Sequence, residues 1–153
     1  MVRIQYADLE GASEFANMNP DGENEAFLAL DTGAFHLRSM ITGDLDEELP
    51  DDLDESDRYV LVPSRRSLDL GRRLALEFVA ERLPAELEQA RRWFQRPGAY
   101  ARLRDRLEEH GLLAAWEEYD AAALERELRA WAAEHGIEVV GGRGTSSNRT
   151  EQA

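Results

Sequence analysis

Arg91, Arg92, Arg96, Arg102, Arg104 and Arg106 crowd into sixteen residues, interleaved with Trp93, Phe94 and Tyr100. A guanidinium is planar and permanently charged, and it presents paired N–H donors that match a phosphate or carboxylate in bidentate fashion. Aromatic rings between such groups can stack on a base or on an arginine. On a helix starting near Ala99, Arg102 and Arg106 lie one turn apart and Arg104 points elsewhere. Arg92 and Arg96 form a similar pair on the preceding helix, and Arg65, Arg66, Arg72 and Arg73 decorate the start of the one before it. Arg92, Arg96, Tyr100, Arg102, Arg104 and Arg106 are therefore the candidate ligand-binding residues, with Trp93 as a further stacking partner. The competing reading pairs the arginines with Asp69, Glu88, Asp105 and Glu109, or with an acidic loop, in surface ion pairs of small energetic value.

The other chemistry in the chain is thinner. Residues 44–57 hold nine carboxylates and no basic residue. Asp44, Asp46, Glu48, Asp52 and Glu55 imitate the ligand positions of a calcium loop, but Leu49 stands where the sharp turn needs glycine, and Pro50 follows. The segment from Asn17 to Asp21 and Gly22 is a second partial match, and its twelfth position is Leu28, which has no carboxylate. No metal and no cofactor is expected. His36 falls on a strand, and His110 and His135 fall at helix C-termini, where an imidazole serves as a cap. There is no nucleophile elbow, no phosphate loop with lysine and no dinucleotide fingerprint. Asp105 is the one candidate base near the arginines, and Glu117, Glu118 and Asp120 read as a solvated helix face.

The charge pattern narrows the partners. All 18 basic residues are arginine and 32 residues are acidic, giving a net charge of −14. Residues 1–57 hold 2 arginines against 16 carboxylates, residues 58–106 hold 12 against 6, and residues 107–153 hold 4 against 10. A field of this sign argues against bulk nucleic-acid binding, yet the middle block is positive. With no cysteine there is no disulfide framework or thiolate chemistry. The apolar runs are too short to cross a bilayer and no charged-then-apolar leader opens the chain, so a cytoplasmic protein without membrane association is expected.

These residues need elements to position them. Asp8 is placed to cap a helix through about Ala16, ended by Asn19-Pro20-Asp21-Gly22. Residues 26–30 and 34–38 read as strands joined by Asp31-Thr32-Gly33, and residues 58–62 as a third strand. The periodicity then turns helical: about 66–82, Pro84 to Gln95, 99–109, a fourth helix holding Trp116 and Tyr119, and a fifth over 121–134. The repeated Glu-His-Gly at 109–111 and 134–136 is explained by two helices that each end on a glycine. Residues 137–140 offer a short returning edge strand, and the tail from Gly141 lacks apolar anchors and is expected to be disordered. The fold class is α+β: a small three-stranded antiparallel sheet followed by a mostly helical half, as a single domain over 1–140. Trp93, Phe94, Trp116 and Trp131 belong to the core of the helical half, with Leu103, Leu107, Leu112, Leu124 and Leu128.

Leu30-Asp31, Gly33, then Tyr59-Val60 and Val62-Pro63, then Gly98-Ala99-Tyr100 with Arg102-Leu103-Arg104-Asp105 occur in a telling order. In this order and spacing the chain resembles a bacterial family of uncharacterised proteins, over about residues 6–140. That family's most regular motif is Gly-Ala-Phe-Arg-Arg-Phe-Lys-Asp, followed by a leucine, a tryptophan and a closing Trp-Leu helix, where Leu107, Trp116 and Trp131 fall here. Ala101 replaces the motif's first arginine, Arg104 its lysine, and Tyr100 and Leu103 its aromatics. The resemblance implies the fold outline and no activity. The residues themselves lead to a non-enzymatic binding module for a protein partner or a phosphate-bearing ligand. Two alternatives stand beside it: a hydrolase of phosphorylated or nucleic-acid substrates with Asp105 as base, and an acidic decoy of a basic protein acting through residues 44–57.

Overall fold

The computed structural model describes residues 2–18, 24–39, 43–44, 49–50 and 52–143. The chain divides into two compact units, one of residues 1–68 with 125–153 and one of residues 69–124. The expected α+β architecture is present: an antiparallel sheet lies early and helices dominate later.

In the first unit, strands β2 (Asn24–Ala29), β3 (Phe35–Ser39), β4 (Gly43–Asp44) and β5 (Tyr59–Leu61) form a four-stranded sheet in the order β4-β3-β2-β5. The central strand pairs Phe27 with His36 on one side and with Leu61 on the other. The three strands read from the sequence are β2, β3 and β5. Between β2 and β3, Gly33 takes a φ of 79°, as a glycine link allows, and Thr32 Oγ1 accepts from the Ala34 N–H at 3.2 Å. Helix α1 (Tyr6–Asn17) buries Leu9, Ala12, Ser13 and Ala16, a stripe of helical period. Ser13 is fully buried and satisfies its hydroxyl by donating to the Pro63 carbonyl at 2.7 Å.

Several boundaries differ from expectation. Helix α1 starts at Tyr6, so Asp8 lies in its first turn, where a carboxylate favours the helix dipole, and is not the cap. A strand β1 (Arg3–Gln5) precedes it and pairs in parallel with β6 (Glu138–Val140), with Arg3 opposite Glu138 and Ile4 opposite Val139. The returning strand therefore exists, in a sheet of its own with β1. The turn proposed at 19–22 lies outside the described residues, as does most of the tail; Arg143 is placed, its Nε donating to Glu125 at 2.8 Å.

The second unit is helical. Helix α2 spans Arg72–Arg82, a 3-10 turn Pro84–Glu86 leads into α3 (Leu87–Trp93), and α4 spans Ala99–Glu109. Helix α5 (Leu113–Glu134) belongs to this unit up to Leu124 and to the first unit beyond it. The helix expected from residue 66 begins six residues later. Ser64 and Ser67 hold each other's backbone and hydroxyl groups in a turn, and Asp69 takes a φ of 56°, which a helix cannot contain. The two last expected helices are one, because Asp120-Ala-Ala-Ala holds no residue that would break it. Leu74, Phe78, Leu103, Leu107 and Trp116 are buried, and Phe78 sits against Trp116 at 5.4 Å and Tyr119 at 5.1 Å between ring centres. Trp93, Phe94 and Trp131 are only half-buried.

Both Glu-His-Gly endings are Schellman caps. Gly111 and Gly136 take φ of 68° and 69°, and the next N–H reaches back five residues, from Leu112 to Leu107 at 2.7 Å and from Ile137 to Ala132 at 2.9 Å. His135 adds a contact from Nδ1 to the Trp131 carbonyl at 2.9 Å.

Candidate anion-binding groove

Helices α3 and α4 pack together within the second unit, and their sequences decide what lies beside the seam. On α4 the buried stripe is Ala99, Leu103 and Leu107, with one helical turn between members. Arg102 and Arg106 each precede a stripe residue by one position, which sets them at its border about 100° around the helix. On α3 the buried residue is Ala90, and Gln89, Arg92 and Trp93 follow one another at spacings of three and one on the flanking face. Tight bonds from Gln95 N–H to Arg92 and from Arg96 N–H to Trp93, both 3.1 Å, end α3. Pro97-Gly98 then reverses the chain, Gly98 adopting a φ of 83° as the residue before α4. A left-handed conformation at this point is open to glycine with little steric penalty.

The result is a groove of about 430 Å3 lined by Gln89, Arg92, Trp93, Gln95, Arg96 and Arg102. Among the described residues no carboxylate lines it. Two of the chain's four glutamines do, in a chain with 32 acidic residues. Among the described residues, the side chains of Arg92, Arg96 and Arg102 make neither a hydrogen bond nor an ion pair. A second groove, also about 430 Å3, shares Gln89, Arg92 and Trp93 and adds Ala85, Glu86, Glu88 and Arg106. A third, between α2 and α3, has an apolar floor of Leu76, Ala80 and Leu87 with Arg72, Arg73 and Arg91 around it.

Four neighbouring arginines are occupied. Arg106 donates to Glu86 and, at 2.9 Å, to Glu109. These hydrogen bonds raise the Arg106 guanidinium above its ordinary range and hold the Glu86 carboxyl below its own. Arg104 turns away to Glu117 at 3.3 Å, Arg73 bridges Asp69 and Glu77 at 2.7 Å each, and Arg91 meets Glu88 at 3.5 Å. Internal pairing thus accounts for Arg73, Arg91, Arg104 and Arg106 and leaves three guanidiniums of the six candidate residues together in one groove. Arg66 and Arg72 are also unpaired, but neither lines it.

Tyr100 lines neither α3–α4 groove; it is 45% exposed and meets Phe94 edge-on at 5.2 Å. Asp105 is exposed and lines none of the three grooves. The described part of the acidic loop is held by the first unit. Arg38 donates to Asp54 at 2.8 Å and to Glu25, and Arg58 approaches Asp52 at 3.7 Å. The hydrogen bond from Arg38 keeps the Asp54 carboxyl below its usual value. Gln89 and Gln95 were not among the expected site residues. Their signal in the sequence is the absence of charge at two positions between arginines. Among the described residues no helix is long and apolar enough to cross a membrane.

No protein-family model, no curated protein and no solved structure matches the chain.

Proposed function

We propose that this chain is a binding module for a phosphate-bearing ligand, seated in the groove of Arg92, Arg96 and Arg102. The observation that carries this reading is the contrast in pairing. Four neighbouring arginines have carboxylate partners, while these three have none and share a lining without negative charge. Like charges held together are unfavourable, and an anion relieves that repulsion while forming charge-assisted hydrogen bonds. The Gly98–Asp105 segment, on which the family resemblance centres, contributes both the chain reversal and Arg102. A binding role is favoured over hydrolysis because Asp105 lies outside the grooves. It is favoured over an acidic decoy because Asp52 and Asp54 face arginines of their own chain.

Inorganic pyrophosphate titrated calorimetrically into the full chain tests the reading. Binding should weaken tenfold or more in the Arg96→Ala, Arg102→Ala double variant, with the melting temperature nearly unchanged, since both side chains are exposed and unpaired. Arg104→Ala, outside the groove, should stay within about twofold of the parent. An absence of pyrophosphate binding to the parent, or equal losses in both variants, would remove the proposal.

A further inference from the structure

The trough beside α3 has a direction, and that direction matches one class of phosphate ligand. Trp93 lines both grooves of about 430 Å3 and so lies between them. Arg92 borders both as well; on one side stand Arg96 and Arg102 with no carboxylate among the described residues. On the other are Glu86 and Glu88, with Arg106 anchoring Glu86. The sequence of groups is cation, aromatic ring, hydrogen-bond acceptor. Trp93 is half-buried, and among the described residues no other ring packs on it. An indole of this kind is a stacking platform waiting for a planar partner.

From these features we propose that the occupant of the trough is a nucleoside mono- or diphosphate. Its phosphate lies among Arg92, Arg96 and Arg102, its base stacks on Trp93, and the base's N–H donors face Glu86 and Glu88. This rests on the phosphate-binding reading above and extends it. Free phosphate or pyrophosphate would fill the cationic end alone and leave the indole and the acceptors idle. Each groove falls within the ~300–1,000 Å3 typical of small-molecule sites, so a ligand with three connected parts has room.

The test compares GDP and ADP with inorganic pyrophosphate by calorimetry on the full chain. At least one nucleotide should bind about tenfold or more tightly than pyrophosphate, the size of one base–aromatic stack. Because Trp93 also borders the phosphate groove, Trp93→Leu should weaken that nucleotide about tenfold more than it weakens pyrophosphate. The comparison on the parent chain needs no variant, so a folding defect in Trp93→Leu cannot mask the answer. If pyrophosphate binds as tightly as both nucleotides, the base seat is refuted and the phosphate site stands. If none of the three binds, both readings fall.

Discussion

Gly98 is where the backbone conformation and the groove depend on one residue. Its φ of 83° places it in the left-handed region, directly before the first turn of α4. A Cβ built there would meet nothing within 4 Å, so substitution by alanine creates no clash and its effect is purely conformational. An L-residue in that region costs about 1–2 kcal/mol, and alanine returns about 0.4–1 kcal/mol by restricting the unfolded chain. Gly98→Ala should therefore destabilise by about 1 kcal/mol. Gly98→Asn should be milder, because asparagine tolerates this region. Gly98→Pro fixes φ near −65°, cannot make the turn and should abolish pyrophosphate binding by separating Arg96 from Arg102. Urea unfolding followed by far-ultraviolet circular dichroism reads the first two, as a midpoint lowered by about 0.3–1 M at unchanged slope. An alanine variant as stable as the parent, or an asparagine variant worse than the alanine one, would refute the left-handed turn and the placement of the arginines derived from it.

Two further predictions concern the cores of the two units. Phe78 is 1% exposed with Trp116 and Tyr119 against it, so Phe78→Ala should cost about 3–5 kcal/mol in chemical unfolding and shift the tryptophan emission to the red; a loss below about 1 kcal/mol would contradict the packing. Tyr6 is fully buried and its hydroxyl has no hydrogen-bond partner, so Tyr6→Phe should leave stability at neutral pH unchanged or slightly raised. Burial, reinforced by the carboxylates of Glu10 and Glu125, pushes the Tyr6 phenol well above its ordinary value of 10.0. Below that pH both folded and unfolded states keep the proton. Above it only the unfolded state ionises readily, so the parent should lose stability as pH rises past about 10 and Tyr6→Phe should lose less. Parallel losses in the two proteins, measured by urea midpoints between pH 8 and 11, would overturn this account.

What could be read in the sequence was what local chemistry determines. The apolar run around Phe27, the alternation at Phe35-His36-Leu37-Arg38 and the valines at 60 and 62 marked the three main strands, and Gly111 and Gly136 marked two helix ends. Strands β1 and β6 are three residues each and pair across the whole chain; the alternation Val2-Arg3-Ile4-Gln5 is a strand signal, but too short to establish β1 without its distant partner. The late start of α2 depends on Asp69 occupying a conformation that its side chain permits but does not announce. At the site, helical spacing turned Arg104 aside as expected, but α3 ends at Trp93, so Arg96 joins Arg92 through the turn after the helix and not on a helix face, and Arg106 lines the groove beside that of Arg102. Spacing could not tell which arginines would be neutralised. Arg106 finds Glu86 twenty residues away and Arg104 finds Glu117 thirteen away, contacts that only the packing of helices creates.

An arginine groove in a chain of net charge −14 looks like a contradiction until the charge is divided between the units. The second unit holds 9 arginines against 11 carboxylates, and the rest of the chain holds 9 against 21. The unit bearing the groove is nearly neutral, at −2, and the remainder carries −12. At physiological salt a charge is felt over about 8 Å, so a single phosphate group inside the groove senses three guanidiniums first. A polymeric backbone is different, because it extends many screening lengths beyond any one groove and is repelled by a net charge of −14. Paired arginines such as Arg104 and Arg106 add no free positive surface to hold such a chain. The distribution therefore selects against long polyanions while leaving a local seat for a short one. For the binding proposed above, the charge pattern favours a compact nucleoside phosphate over RNA or DNA.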